Sequence, residues 1–364
     1  MKLIGLLGKS IVTTGVVAAG LISGSWVNQT VHQKYPPPRS ATGVAGESIP
    51  APATTDSLIH YRFTPGERLV YTLGAEISGS GIESLAGSSG VAMQFQSAMQ
   101  VLTERVDTSG NGHLDIRFTE VAMQGSFMDA PVSLYHTLGG TEYSHGGEHV
   151  STAAGDSIAG IPQLEFFNQP TKATVSPAGE VLNVSGAPGM DKMLAPERLV
   201  AGVQFPAGDL DAGAQWESKF NMPVPGMGTL VPSRTLNELV GFQLFRGRYC
   251  AVIRQTFGAN QEGGSIQSPA SALGNEMNFS VPQFNLSGEN TIYFDMDLGQ
   301  LVQADLDLNF TMRIGEELKA VTGLLSLYGD LLNELEGGVP GEAAGAGDLL
   351  NLGVNIRGQL LLAN

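Results

Sequence analysis

Apolar and polar residues alternate along several short stretches of this chain. From Val91 to Val101 the odd-numbered positions are apolar except for Ser97, and the positions between them are mainly Gln and Ala. From Leu306 to Ile314 the even-numbered positions are apolar and the odd-numbered ones are polar. A period of two residues is that of a β-strand with one buried face, so these stretches predict strands.

The residues between these stretches favour tight turns. Turn-forming clusters occupy residues 107–112, 176–180 and 297–300, and the chain contains 48 glycines. We predict ten to twelve strands in a mainly β fold: one large antiparallel curved sheet, half-barrel or sandwich-like. A shift in alternation predicts a bulge near Glu120. The Gly-rich insertions 138–160 and 258–274 are predicted to be surface loops.

The N-terminus has the layout of an export signal. Lys2 and Lys9 precede an uncharged, largely apolar stretch that ends at Val27. This pattern predicts a cleaved signal peptide or a retained membrane anchor, and so a protein of the periplasm or cell surface. The following residues are rich in Pro, Ser and Ala, which is typical of an extended linker.

The C-terminal region has a different period. Apolar residues recur at steps of three and four from Leu318 to Leu335, which predicts an amphipathic helix. This helix could pack on the sheet or act as a lid or partner-binding element. A further short helix is expected at 190–200. The predicted divisions are 1–27 signal peptide or anchor, 28–57 linker, 58–314 antiparallel β domain, and 315–364 C-terminal helix and apolar tail.

Charge and cysteine content narrow the function classes. The net charge of −16 disfavours binding to nucleic acid and to anionic lipid headgroups. Membrane association is therefore expected only through the N-terminal segment. Cys250 is the single cysteine, so no disulfide can form within the chain. Its strand-like surroundings predict a buried, inert thiol.

Two groups of residues suggest metal chemistry. His145, Glu148 and His149 match the H-x-x-E-H spacing of inverted zinc peptidases, which requires both histidines on one helical face. The glycines between them disfavour a helix, so we expect a loop, and these residues are weak metal candidates. Four aspartates between Asp295 and Asp307 could suggest calcium, but their spacing indicates a solvated sheet face. We expect no catalytic residues, no resident metal and no cofactor.

Four short phrases of the chain resemble uncharacterised bacterial exported β-rich proteins. They are Tyr61–Tyr71, Val175–Val181, Phe205–Trp216 and Tyr293–Leu301. More distantly, they are similar to the half-barrels of periplasmic lipoprotein carriers. That resemblance implies a curved sheet and a helical lid around an apolar cavity.

Two main functions follow from the sequence. The first is a non-enzymatic envelope protein that binds a lipid, a lipidated partner or another apolar ligand. Its candidate cavity residues are Met93, Phe95, Met99, Leu308, Phe310 and Met312. The alternative is a structural or assembly protein of the cell surface that binds an envelope protein through sheet edges or loops. A zinc hydrolase that uses His145 and His149 is a distant third.

Overall fold

The chain is folded mainly as β-strands. The computed structural model describes residues 47–49, 59–80, 91–127, 130–145, 147–153, 170–186, 200–223, 230–261, 264–267, 278–281, 283–314 and 350–363. The strands in these ranges are β1 (Glu47–Ile49), β2 (Arg68–Ser80), β3 (Val91–Val106), β4 (Gly112–Phe127), β5 (Ala130–Thr137), β6 (Gly140–His145), β7 (Glu148–Ala153), β8 (Thr171–Val175), β9 (Val181–Ser185), β10 (Gln215–Pro223), β11 (Leu230–Phe245), β12 (Arg248–Gln261), β13 (Gly264–Gln267), β14 (Asn278–Val281), β15 (Gln283–Asp295), β16 (Gln300–Ile314) and β17 (Leu350–Ala363). The mainly β prediction is confirmed.

Fifteen of these strands form one curved, unclosed antiparallel sheet. Its main order is β1-β11-β12-β15-β16-β17-β2-β3-β4-β5-β6-β7, and β13 pairs only with β14. Two long strands each pair with two shorter strands along their length. Strand β11 pairs with β1 and with β10, and strand β4 pairs with β5 and with β8. Strand β9 pairs with β8 in an antiparallel hairpin.

The main core lies on one face of this sheet, which we call the inner face. Its fully buried members come from strands far apart in the sheet and include Tyr71, Met99, Leu239, Ile253 and Phe294. Alternation along each strand places these side chains together and sends their polar neighbours outward. A smaller cluster that includes Cys250, Val252, Tyr293 and Val302 lies on the outer face.

Two non-strand segments cover one end of the inner face, which we call the packed end. They are residues 59–63 and 200–205. Tyr61 N–H donates to the Pro177 carbonyl, and Arg62 N–H donates to the Gly299 carbonyl. Those acceptors belong to the β8–β9 and β15–β16 turns, so the first segment bridges two distant parts of the curved sheet.

The opposite end, which we call the far end, is where β2 and β16 finish and β17 begins. The intervening residues 81–90 and 315–349 lie outside the described residues. The predicted helix from Leu318 to Leu335 falls in this range. The predicted leader 1–27 also lies outside the described residues, as does the predicted helix at 190–200 except for Val200. In the described ranges, no helix has the length and apolarity needed to cross a membrane.

The segment predicted to be an apolar tail is strand β17. It pairs with β16 on one side and β2 on the other, and so joins the two halves of the sheet. Ile356, Leu360 and Leu362 are at inward positions, and Asn355 and Arg357 lie on the other face. The β domain therefore extends to Ala363, beyond the predicted boundary at residue 314.

Several local predictions can be compared directly with the strands. The three predicted turns separate β3 from β4, β8 from β9 and β15 from β16. The bulge near Glu120 is confirmed by a register shift, since Ala98 pairs with Glu120 and Met99 with Phe118. The predicted loop 138–160 is wrong where β6 and β7 form a hairpin. The second loop is wrong at 258–261 and 264–267, which are strand, and the linker contains β1.

One glycine is required by the contact between a turn and the packed end. Gly179 in the β8–β9 turn has a φ of 81°, in the left-handed region that favours glycine.

 The turn also approaches the packed end closely, because a Cβ at position 179 would lie 2.1 Å from the Val203 carbonyl oxygen. The Phe205 N–H donates to the Ala178 carbonyl at 2.8 Å beside it. A larger residue at position 179 would therefore separate the turn from the 200–205 segment.

Candidate functional site

A row of apolar residues crosses the inner face toward the far end. Cross-strand pairing places its members side by side on six neighbouring strands, and we call it the apolar row. Its members are Phe257, Gly288, Leu308, Ile356, Ile77 and Met93. Met93 is buried and the others are partly exposed. The row therefore links β12 to β3 through apolar side chains.

Gly288 has a specific part in this row. A Cβ at its position would meet the Phe257 ring at 2.5 Å, so the ring lies over the glycine. Gly288 pairs with Leu308 on its other side. The absence of a side chain on β15 thus lets Phe257 lie across the strand and keeps this part of the row apolar.

The next row toward the far end is also apolar. Pairing aligns Leu286, Phe310, Val354, Gly79 and Val91 across β15, β16, β17, β2 and β3. Leu286 and Phe310 are buried. The residues of these two rows are not members of the main core cluster.

The inner face in this region lacks formal charge. From β12 to β3, over the length that the six strands share, the inward positions of the described residues carry no Asp, Glu, Lys, Arg or His. The outer face of the same strands carries Asp305, Asp307, Arg357 and Glu289. The two faces therefore offer very different surroundings to a bound molecule.

The structure places three of the predicted cavity residues, Met93, Leu308 and Phe310, in these two rows of the inner face. Met93 and Leu308 belong to the apolar row, and Phe310 belongs to the next one. Met312 occupies the following register position, opposite Leu352. The pairing through β17 and β2 thus brings positions of β3 and β16 that are more than 200 residues apart in sequence into common rows.

Phe95 and Met99 have a different environment from the other predicted cavity residues. Both are members of the main core cluster, and Met99 is 1% exposed. At the packed end, a cavity of about 20 Å³ is lined by residues that include Tyr61, Tyr71 and Leu114. That volume holds about one water molecule, far less than an acyl chain requires.

Three amide side chains form a ladder between the packed end and the apolar row. Gln255 Nε2 donates to Asn237 Oδ1 at 2.9 Å and to the Gly202 carbonyl at 3.0 Å. Asn290 Nδ2 donates to Gln255 Oε1 at 2.9 Å. Asn290 Oδ1 is buried and has no hydrogen-bond partner. We call these residues the amide ladder.

Sequence reasoning missed the amide ladder, although a signal was present. Gln255 lies between Ile253 and Phe257 at a period of two, so it occupies an inward position among apolar residues. A polar residue in the apolar phase of a strand indicates either a partner or a ligand, because an unpaired buried amide is unfavourable.

The predicted zinc candidates lie in a hairpin instead of a helix. His145 ends β6 and pairs with Glu148 at the start of β7, while His149 pairs with Ser144. Neighbouring residues of a strand lie on opposite faces, so His149 is placed on the other face from Glu148. The described residues contain no group of three or more His, Cys, Asp or Glu side chains suited to a metal ion.

The predicted aspartate cluster is divided among separate structural contacts. Asp295 is buried, forms an ion pair with Arg248 at 2.9 Å and accepts the backbone N–H groups of Asp297 and Leu298. Asp307 accepts from Arg357 on the outer face. These contacts order a turn and the sheet surface.

Cys250 is buried in the outer cluster, as predicted. Burial, reinforced by the nearby Asp295 carboxylate, raises the pKa of its thiol to about 12. A thiol with such a pKa is almost wholly protonated at neutral pH and is a poor nucleophile.

Comparison of the whole chain with protein-family models and with curated proteins finds no match.

Proposed function

We propose that this protein is a non-enzymatic exported cell-envelope protein that binds the apolar part of a lipid or lipidated partner on its inner face. The observation that carries the proposal is the apolar row together with the row next to it. These rows offer a continuous, uncharged surface on neighbouring strands. Burial of an acyl chain there would contribute about 0.8 kcal/mol per methylene.

The far end is the proposed entry side for this ligand. The packed end is occupied by core residues such as Tyr61 and Phe205, whereas Leu308 and Ile356 remain partly exposed. Residues 315–349 connect β16 to β17, so the connection begins and ends at the far end.

The first test is native mass spectrometry of the purified protein, followed by organic extraction and lipid analysis. Near-stoichiometric lipid in the extract is the expected result. A lipid-free mass, together with no binding of added fluorescent fatty-acyl probes, would contradict the proposal.

A pair of neighbouring substitutions on β16 localises the site. Leu308→Asn places an amide in the apolar row and should weaken binding of an acyl probe about tenfold, since an apolar contact is replaced by a polar group. Asn309→Asp changes the exposed outer face of the same strand and should leave binding unchanged. Circular dichroism and urea unfolding would check that both variants fold.

The alternative is a structural or assembly protein, and one feature favours it. Strand β7 ends the main strand order of an unclosed sheet, and Val150 on it is 40% exposed. Exposed edge strands can pair with a strand of another chain. A discrete oligomer or bound protein that is lost on Val150→Pro, with no lipid in the extract, would favour this alternative.

A further inference from the structure

The amide ladder has a fixed hydrogen-bond direction. A backbone carbonyl can only accept, so the Gly202 carbonyl requires the amino group of Gln255 to face it at 3.0 Å. The same amino group serves Asn237 Oδ1. Asn237 in turn donates to the Trp216 carbonyl at 3.2 Å and to Ser218 Oγ at 3.0 Å. Backbone carbonyls thus set the orientation of both amides.

This direction determines what the other end of the ladder offers. Because the amino group of Gln255 faces these two acceptors, its Oε1 faces Asn290. Oε1 can only accept, so Asn290 must donate through its own amino group. The reverse orientation of Asn290 would place two oxygens against each other. Asn290 Oδ1 is therefore left as a hydrogen-bond acceptor, and it is buried without a partner.

The free acceptor lies beside the proposed binding surface. Asn290 pairs with Leu306 on the inner face, two residues along each strand from Gly288 and Leu308 of the apolar row. The inward positions of the described strands from β12 to β3 carry no cationic side chain. A ligand group at this place would meet an oxygen acceptor in apolar and uncharged surroundings.

We infer that the bound amphiphile has an uncharged headgroup that donates a hydrogen bond to Asn290 Oδ1, such as a hydroxyl or an amide N–H. This inference rests on the function proposed above. A carboxylate or phosphate would lose its hydration there without gaining a cation, and an ionised carboxylate has no proton to donate. A neutral donor would satisfy the acceptor that the ladder leaves free.

Three probes with the same acyl chain separate these possibilities. Monoolein is neutral and donates hydrogen bonds, methyl oleate is neutral but only accepts, and oleate is anionic at pH 8. Each would be titrated below its aggregation concentration by displacement of a fluorescent acyl probe. Monoolein should bind about five- to tenfold more tightly than either other probe, the ratio expected for one added hydrogen bond.

Substitution of the acceptor tests its identity. In Asn290→Leu, monoolein should lose its advantage over methyl oleate, while methyl oleate should keep its affinity. The matched control is Asn285→Leu on the same strand, because Asn285 is exposed and pairs outward with Thr311. The control should retain the preference for monoolein.

Each outcome has a distinct meaning. If no probe binds the native protein, the proposed function fails and this inference fails with it. If all three probes bind equally, acyl binding stands, the acceptor is satisfied by water or by nothing, and the inference is overturned. A preference for monoolein that persists in folded Asn290→Leu would also overturn it. If that variant does not fold, the comparison of the three probes on the native protein still decides.

Discussion

The two ends of the inner face are built from the same strands but are filled differently. At the packed end, the rings of Tyr61 and Phe205 each lie 5.0 Å from that of Phe294, which is fully buried. Toward the far end, Leu308 and Ile356 on the same sheet are partly exposed. Alternation supplies an apolar face along the whole strand, and the segments packed against it decide whether that face becomes core or available surface.

The largest difference between the ends should appear when the same residue type is removed from each. Phe294→Ala opens a cavity in the packed aromatic cluster and should lower the free energy of unfolding by about 3–5 kcal/mol. Phe310→Ala, on β16 in the row next to the apolar row, should cost less, because its site lies outside the main core cluster. Urea unfolding midpoints measure both. Equal losses would show that the far end is as tightly packed as the other.

The amide ladder marks the boundary between the two ends, and its removal should have the next largest effect. Gln255→Leu leaves the Gly202 carbonyl and Asn237 Oδ1 without their donor. We expect a loss of about 1–3 kcal/mol in unfolding free energy, the penalty for buried polar groups without partners. Thr256→Val, at the exposed neighbouring position, is the control and should be nearly neutral. Similar midpoints for the two variants would mean that the ladder does not stabilise the fold.

A smaller effect is expected from the tyrosine hydroxyl at the packed end. Tyr61 accepts the Val203 N–H at 3.2 Å, so Tyr61→Phe should cost about 1 kcal/mol at neutral pH. Burial raises the pKa of the Tyr61 hydroxyl above its ordinary value, and burial likewise raises the pKa of Tyr71.

The sign of the pH dependence follows from these raised pKa values. The folded chain holds the phenol protons more tightly than the unfolded chain, in which tyrosine ionises near pH 10. Stability is therefore complete below about pH 10 and declines as the pH rises above it. Urea midpoints between pH 8 and pH 11 should decline less steeply in Tyr61→Phe. An unchanged slope would mean that Tyr61 ionises without opening the packed end.

The smallest effect is expected for alkylation of Cys250. This residue lies on strand β12, which runs from the packed end toward the far end. Because the thiol is buried and its pKa is raised to about 12, iodoacetamide at pH 8 should leave it unmodified in the folded protein. The same reagent in concentrated urea should label it, as mass spectrometry would show. Rapid labelling without urea would mean that β12 separates from its neighbours and that the contrast between the ends is transient.

The strands themselves could be predicted where alternation was long and flanked by turns, as in β3 and β16. Strand β17 has equally clear alternation, but it follows a Gly- and Ala-rich stretch, and that composition favours an apolar tail. The glycines around strands β6 and β7 favour a loop. In both cases the local composition favours a loop or tail, and pairing with neighbouring strands is what makes these segments stable.

The site was less predictable than the strands. The sequence indicated that Met93 and Leu308 were inward residues, but not that Ile356 and Ile77 join them in one row. The amide ladder was missed because its hydrogen bonds connect three different strands and a loop. Partners so distant in sequence leave no local pattern.

Which residues of a strand share a face follows from the amino-acid sequence alone, because a period of two is a local property of the extended chain. The sequence also determines that the fold is mainly antiparallel β and that Cys250 has no partner for a disulfide within the chain. Three features become visible in the folded chain: the order of neighbouring strands, the end that residues 59–63 and 200–205 fill, and the buried Asn290 acceptor. Those features depend on the register between distant segments, which is selected by the packing of the whole sheet.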